Sequence, residues 1–367
     1  MDRSGQSITA LFEEGTYAEI SFGSVSPDVS GVGTASFGAR PSGNIAPDYN
    51  TFGFAFKTDL NDKVSLAFIM DQPFGASVDY ASSGYPLEGT SAEVTSSSIT
   101  LLGQYQINEN TSVYAGPRFV SVEGRYRAAK LGAEAYSASY SKDTEVGYVI
   151  GAAYEIPEIA LRAALTYSSE MQFGLSGSGN GAAGVPLDPN DPYNLTSVAA
   201  GSFVGDLSAT TPQSVNIDFQ TGVAANTLAF ASVRWADWSE ATIDDSVAKN
   251  LTDFGNKDTF TYTIGVGRKF TDHFSGLVSV GYEKAAGDLT GNLAPTDGFT
   301  SLSLGGAYTF ENGLELSGGI RHVWVGDATS YAPDSAQVPA PMNLTVPFAS
   351  FTDNSVTAIG LKLAYNY

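Results

Sequence analysis

The chain has 367 residues, with 18 Lys and Arg against 39 Asp and Glu, two histidines, no cysteine and a net charge of −21. Those numbers exclude disulfide scaffolds, Cys-ligated zinc and thiol chemistry, leave only His273 and His322 for histidine-dependent catalysis, and set the molecule against nucleic acid, whose binding needs Lys and Arg to displace counterions. No stretch approaches the roughly 18 to 20 apolar residues of a transmembrane helix, yet a mean hydropathy of −0.04 is also what a closed barrel of alternating strands averages to.

In chain order, residues 1–14 form a short tail whose Ile8, Leu11 and Phe12 can tuck into a lumen. From residue 15 onward, period-2 alternation predicts fourteen strands, near 15–24, 48–59, 63–73, 94–106, 111–126, 142–155, 159–170, 212–220, 226–238, 258–270, 273–283, 299–310, 313–326 and 354–367. The last is the clearest: Ile359, Leu361, Leu363, Tyr365 and Tyr367 oppose Gly360, Lys362, Ala364 and Asn366. Short turns such as Asn61-Asp62 and Glu311-Asn312-Gly313 follow every second strand, whereas the other connections are long, near 25–47, 74–93, 127–141, 171–211, 239–257, 284–298 and 327–353. The expected fold is all-β, a 14-stranded antiparallel transmembrane β-barrel over 15–367 with short periplasmic turns and long extracellular loops.

A soluble sandwich or propeller also carries many strands. Against it, these strands run to about ten or more residues where five or six is usual. Tyr and Trp recur at strand ends, among them Tyr105, Tyr154, Tyr308, Trp235, Trp238 and Trp324, where interfacial girdles belong. The chain also closes on an aromatic, Tyr367. The start, Met1-Asp2-Arg3-Ser4, fits a cytosolic protein or a mature form after signal-peptide removal, and the barrel selects the second. The expected setting is the bacterial outer membrane, with its lipid and lipopolysaccharide as neighbours, and a monomer.

The phase opposite the lipid lists the lumen, which receives Arg118, Arg162, Arg234 and Arg321. They serve either in wall ion pairs or as donors for an anionic head group such as a carboxylate, for which the guanidinium fork is shaped. The connection 171–211 holds an apolar run in which Leu195, Val198 and Ala199 recur at helical spacing and Phe203, Val204 and Leu207 extend the surface. This is either a capture groove for hydrophobic molecules or a lid. At the end of the third strand, Pro73 lacks an N–H and Gly75 eases an irregular backbone. Asp71, Pro73, Phe74 and Gly75 thus mark either a lateral opening in the wall or simply the strand's end. No arrangement of residues calls for catalysis, a metal or a cofactor.

The fourteen strands, the Asp71-Gln72-Pro73-Phe74-Gly75 stretch ending the third, the Trp235-Ala236-Asp237-Trp238-Ser239 stretch ending the ninth and the terminal aromatic strand together resemble the FadL/TodX family of outer-membrane transporters of long-chain fatty acids and other hydrophobic compounds. The resemblance implies passive uptake: capture among extracellular loops, passage into a pocket inside the barrel, and sideways exit at a kinked third strand. Residues 1–14 depart from the longer folded plug typical of that family. Two other functions fit a barrel of this size, a general diffusion porin and a structural or receptor barrel that moves nothing.

Overall fold

A computed structural model describes residues 2–130, 133–181, 201–246, 249–251, 257–332 and 345–367. It is a closed antiparallel barrel of fourteen wall strands. These are β1 (Tyr17–Asp28), β2 (Tyr49–Asn61), β3 in two pieces (Val64–Asp71, Gly75–Asp79), β4 (Ser91–Asn108), β5 (Thr111–Lys130), β6 (Ala133–Ile156) and β7 in two pieces (Leu161–Ser168, Met171–Gly181). The wall continues with β8 (Gly201–Thr211, Ser214–Ala224) and β9 (Thr227–Ala236, Thr242–Asp245), each in two pieces, then β10 (Thr259–Lys269), β11 (Phe274–Glu283), β12 (Phe299–Thr309), β13 (Leu314–Val325) and β14 (Ser355–Asn366). Each strand pairs with its sequence neighbour, and β14 closes on β1 from Tyr17↔Asn366 to Asp28↔Ser355. Closure removes the edges that no membrane-spanning sheet can leave open. No helix among the described residues is long and apolar enough to cross a membrane.

Along the lower wall the apolar phase faces outward, as the alternation predicts. Ile264 is 66% exposed and Leu361 58%, values that only a lipid-facing surface tolerates in such numbers, while Tyr105, Tyr154 and Tyr308 stand exposed near the periplasmic turns. The turns are tight: Asn226 and Gly313 take positive φ, the left-handed conformation these hairpins need.

Above the membrane the structure departs from the predicted loops. Residues 127–141 are largely strand, the ends of β5 and β6, and 171–211 contains a paired hairpin in which Met171↔Thr211 through Gly181↔Gly201 extend β7 and β8. These segments read as loops because their outward residues, such as Gln172, Gly174 and Ser176, are small or polar, while their apolar residues Met171, Phe173 and Leu175 point inward. Trp238 is a second correction. It does not join the girdle but is buried in the lumen beside Phe74, because β9 breaks at that point and turns its side chain inward.

The connections after β1, β3, β11 and β13 fold into a cap. A three-stranded sheet of Gly31–Gly33, Pro347–Phe351 and Ala328–Tyr331 covers a core that includes Val29, Ile45, Tyr80, Tyr85, Phe348 and Phe351. Tyr80 stacks on Tyr85 and donates to the Asn292 carbonyl at 2.6 Å, which ties in the connection after β11.

Candidate functional site

The tail lies inside the lumen. Ile8, Ala10 and Leu11, on a 3-10 turn at Thr9–Phe12, pack among Tyr17, Ala55, Ile69, Leu102 and Tyr114. Phe12 meets Tyr114 edge-on at 5.7 Å and sits under the Arg162 guanidinium. Polar bonds fix the rest: Lys57 Nζ donates to the Gly15 carbonyl at 3.1 Å, Asn216 Nδ2 to the Gly5 carbonyl at 2.9 Å and Ser214 Oγ to Gln6 Oε1 at 3.0 Å. Such a seat combines apolar burial with satisfied backbone groups, as buried chain requires.

The start of the tail reaches the interruption in β3. Between β2 and β3 the ladder runs only up to Phe54↔Met70, and the upper piece of β3, Gly75–Asp79, pairs with β4. Above Phe54↔Met70 the contacts are piecemeal: Phe52 N–H of β2 donates to Gln72 Oε1 at 3.0 Å, and Asp79 N–H to the carbonyl of Ile45, in the connection before β2, at 2.8 Å. Pro73 explains the start of the break, since it has no N–H to offer. Arg3 fills the opening. Its N–H donates to the Pro73 carbonyl at 2.9 Å, its guanidinium lies 4.0 Å over the Tyr49 ring, and a Cβ at position 75 would push that guanidinium aside. Burial in the gap holds the Arg3 guanidinium below its ordinary value, opposed by Tyr49 and Glu93.

Both backbone groups of Phe74 are satisfied without a strand partner, its N–H by Ser96 Oγ at 2.9 Å and its carbonyl by the same hydroxyl at 2.7 Å. The Asp71 carboxylate accepts from Ser4 Oγ at 2.6 Å and from Ser98 Oγ. The four residues singled out in the sequence, Asp71, Pro73, Phe74 and Gly75, therefore lie together at a discontinuity of the wall, with irregular backbone turned inward and backed by protein in the lumen.

Above this level the lumen is mostly apolar, the buried Asp245 carboxylate accepting from the Tyr136 and Tyr140 hydroxyls. Ala76 and Val78 of β3 face Val94 of β4, Val122 and Tyr126 of β5, Leu175 of β7, Leu207 of β8 and Ile243 of β9, with Leu251 and Leu293 descending from the loops. The free cavity among them is about 60 Å³, well below the roughly 300–1000 Å³ of a pocket that holds a small molecule. Of the predicted capture surface, Leu207 is buried in this chamber and Val204 is 86% exposed on the other strand face, while Phe203 lies on the strand backbone at the register of Gly179. Leu195 and Val198 lie outside the described residues.

Two of the four arginines share one electrostatic neighbourhood beneath the chamber. Arg118 is 1% exposed; Nε donates to Thr100 Oγ1 at 2.8 Å and Nη1 to Ser168 Oγ at 3.4 Å, while Nη2 has no partner among the described residues. Arg234 lies within electrostatic range and is tied to Asp2 at 2.5 Å, Ser214 at 3.0 Å and Asn216 at 2.8 Å, its Nη2 likewise without a partner among those residues. Arg162 is elsewhere, donating to Gln220 Oε1 at 3.0 Å beside the tail, and Arg321 is on the far wall with Ser301 at 3.1 Å. That side is rich in glycine, and a cavity of 1360 Å³ lined by both apolar and polar groups runs along it past Ser21, Ser303, Ser317, Arg321 and Lys362 and reaches Arg3 and Tyr49 at the gap. The role of Arg3, the luminal place of Trp238 and the bonds that seat the tail are not legible in the sequence; each is a contact between distant chain segments that periodicity does not carry.

A plugged outer-membrane barrel with a gap in its third strand and an apolar inner chamber is the class these features define. Residues 15–367 match the family model described as outer membrane protein transport protein (OMPP1/FadL/TodX), and the chain belongs to that family. Among solved structures, a Pseudomonas aeruginosa FadL homologue superposes with a TM-score of 0.78 at 13% identity, covering 97% of this chain and 91% of that one. The Pseudomonas putida toluene transporter TodX gives 0.68 at 11% identity, covering 100% and 95%, and the CymD monoaromatic hydrocarbon channel 0.64 at 12%, covering 99% and 94%. At such identities the likeness bears on the fold. Comparison with curated proteins finds no match.

Proposed function

We propose that this outer-membrane protein passively transports hydrophobic or amphipathic molecules, long-chain fatty acids among them, by loop capture, passage through the apolar chamber and lateral exit between β2 and β3. The carrying observation is the missing ladder above Phe54↔Met70, where a side chain, Arg3, rather than wall backbone closes the barrel. A lateral exit delivers an apolar cargo to lipid without crossing water. The unpartnered Nη2 of Arg118 at the chamber floor supports an acidic head group, which that buried cation would satisfy. The related hydrocarbon channels support an apolar cargo more broadly.

Replacing Pro73 and Gly75 by Val returns an N–H donor and favours ladder formation with β2. Uptake of a long-chain fatty acid into proteoliposomes should fall by an order of magnitude while the barrel stays folded on unheated gels. Because Gly75→Val also displaces Arg3, the control is Arg3→Ala, which empties the gap and should raise uptake. Normal transport by the Pro73/Gly75 variant would sink the lateral route. The 1360 Å³ cavity, which runs from Arg3 and Tyr49 down to the turn at Pro157–Ala160, favours a second reading, an axial path, and a large stable conductance in planar bilayers would select it.

A further inference from the structure

We infer that Phe74 and Trp238 form an aromatic partition at the base of the chamber, and that this partition sets the width of cargo reaching the gap. The inference rests on the lateral route proposed above. The two residues come from the third and ninth strands, yet their rings meet across the lumen at 6.2 Å and 84°, edge to face. Both are nearly buried, Phe74 at 3% and Trp238 at 8%, and the small side chains of Ala236 and Ala241 complete the cluster.

The position is that of a threshold. Two residues beyond Phe74, Ala76 lines the chamber; two beyond Ala241, Ile243 does. Phe74 itself belongs to the segment that has no β2 partner at the gap and is bridged instead by Asp2 of the tail. A molecule leaving the chamber for the gap must part this contact.

The two rings are held differently. The turn carrying Trp238 is pinned: Asp237 N–H donates to the Gln213 carbonyl at 3.0 Å, and the Asp237 carboxylate accepts from Gln213 Nε2 at 2.9 Å and Ser239 Oγ at 2.8 Å. Phe74 sits on backbone without a β2 ladder, held by Ser96 and by the tail through Arg3 and Pro73. Trp238 is the fixed post and Phe74 the moving leaf. Neither ring faces lipid, and a purely packing role predicts lost stability on truncation with no change in selectivity.

The experiment uses the full chain in proteoliposomes and two probes, an unbranched long-chain fatty acid and the same acid carrying a terminal pyrene. Phe74→Ala and Trp238→Ala should each raise the pyrene-to-plain uptake ratio at least fivefold. The double variant should go no further, because both changes remove one barrier. If Phe74→Ala fails to fold on unheated gels, Trp238→Phe should shift the ratio the same way by less. An unchanged ratio in folded variants, or fully additive changes, overturns the partition while leaving the lateral route standing if the Pro73/Gly75 variant is still blocked. A Pro73/Gly75 variant that transports normally, or a wild type that moves neither probe, overturns both.

Discussion

The lower and upper halves of β7, β8 and β9 obey the same alternation with opposite results. In lower β7, Leu165 and Tyr167 face outward, whereas beyond Ser169-Glu170 the odd-numbered Met171, Phe173 and Leu175 face the lumen. β8 repeats this across Pro212-Gln213, with Ile217 and Phe219 outward below and Leu207 and Ala209 inward above. β9 repeats it across Asp237–Ala241, with Ile243 turned in. Each break shifts the side-chain phase by one, and a one-residue shift sends a whole apolar set to the other face. Period 2 therefore identifies a strand without saying which face meets oil. Below, the apolar face meets the bilayer; above, where water surrounds the wall, it turns inward and builds the chamber.

Charge placed on the same outward face should break that comparison most sharply. Leu165→Arg puts a cation into lipid and should cost about 2–4 kcal/mol near the bilayer midplane. Ser176→Arg, on the outward face beyond the break, should stay within about 0.5 kcal/mol of wild type. Urea unfolding in lipid vesicles measures both, and equal costs would place the upper wall in the membrane.

Cargo retention sharpens the comparison next. Leu207→Ser strips an apolar group from the chamber and should weaken retention of a hydrophobic ligand by roughly tenfold, the equivalent of about 1.4 kcal/mol. Val204→Ser changes only an exposed outer residue and should leave retention alone. A larger loss at Val204 would move capture to the outside of the β7–β8 hairpin.

The lower wall was legible because its faces differ in polarity over a full strand, as from Ile359 to Tyr367. The upper wall was not, since Gln172, Gly174 and Ser176 look like loop residues until it is known that water lies outside them. Phase also gave the lumen as the face of all four arginines but neither their height nor their place around the barrel: Arg118 and Arg234 lie within electrostatic range of each other, whereas Arg162 bonds Gln220 beside the tail and Arg321 of β13 bonds Ser301. Pro73 and Gly75 announced the break by their own chemistry. What fills it, Arg3, lies about seventy residues away in sequence, beyond the reach of any local pattern.

A third test separates the chamber from its floor. Arg118 is buried with hydroxyl partners alone among its hydrogen bonds, an arrangement that leaves much of the desolvation of its charge uncompensated. Arg118→Gln should reduce retention of a long-chain fatty acid severalfold and spare a neutral alkane of equal length. It should also leave the barrel at least as resistant to heating. Equal losses for both ligands would assign Arg118 to wall packing.

The smallest effect concerns the tail below the floor. Burial raises the Glu13 carboxyl above its ordinary value; Lys362 and Arg162 oppose that shift, and Glu19 and Glu315 add to it. The seated tail thus binds a proton more tightly than a released tail, whose carboxyl titrates near pH ~4.3. A group whose seated value is raised favours seating fully below the released value, and that contribution is lost as the pH climbs through the raised one. Seating should therefore weaken as the pH rises above about 4. The Leu11 N–H, bonded to the Ile8 carbonyl at 2.9 Å, reports it by hydrogen exchange once intrinsic rates are corrected. Protection should fall with rising pH in the wild type and stay level in Glu13→Gln. A flat wild-type profile would mean that Ile8, Ala10 and Leu11 hold the tail by apolar burial alone, and that acidity at the cell surface has no hold on the gap that Arg3 fills.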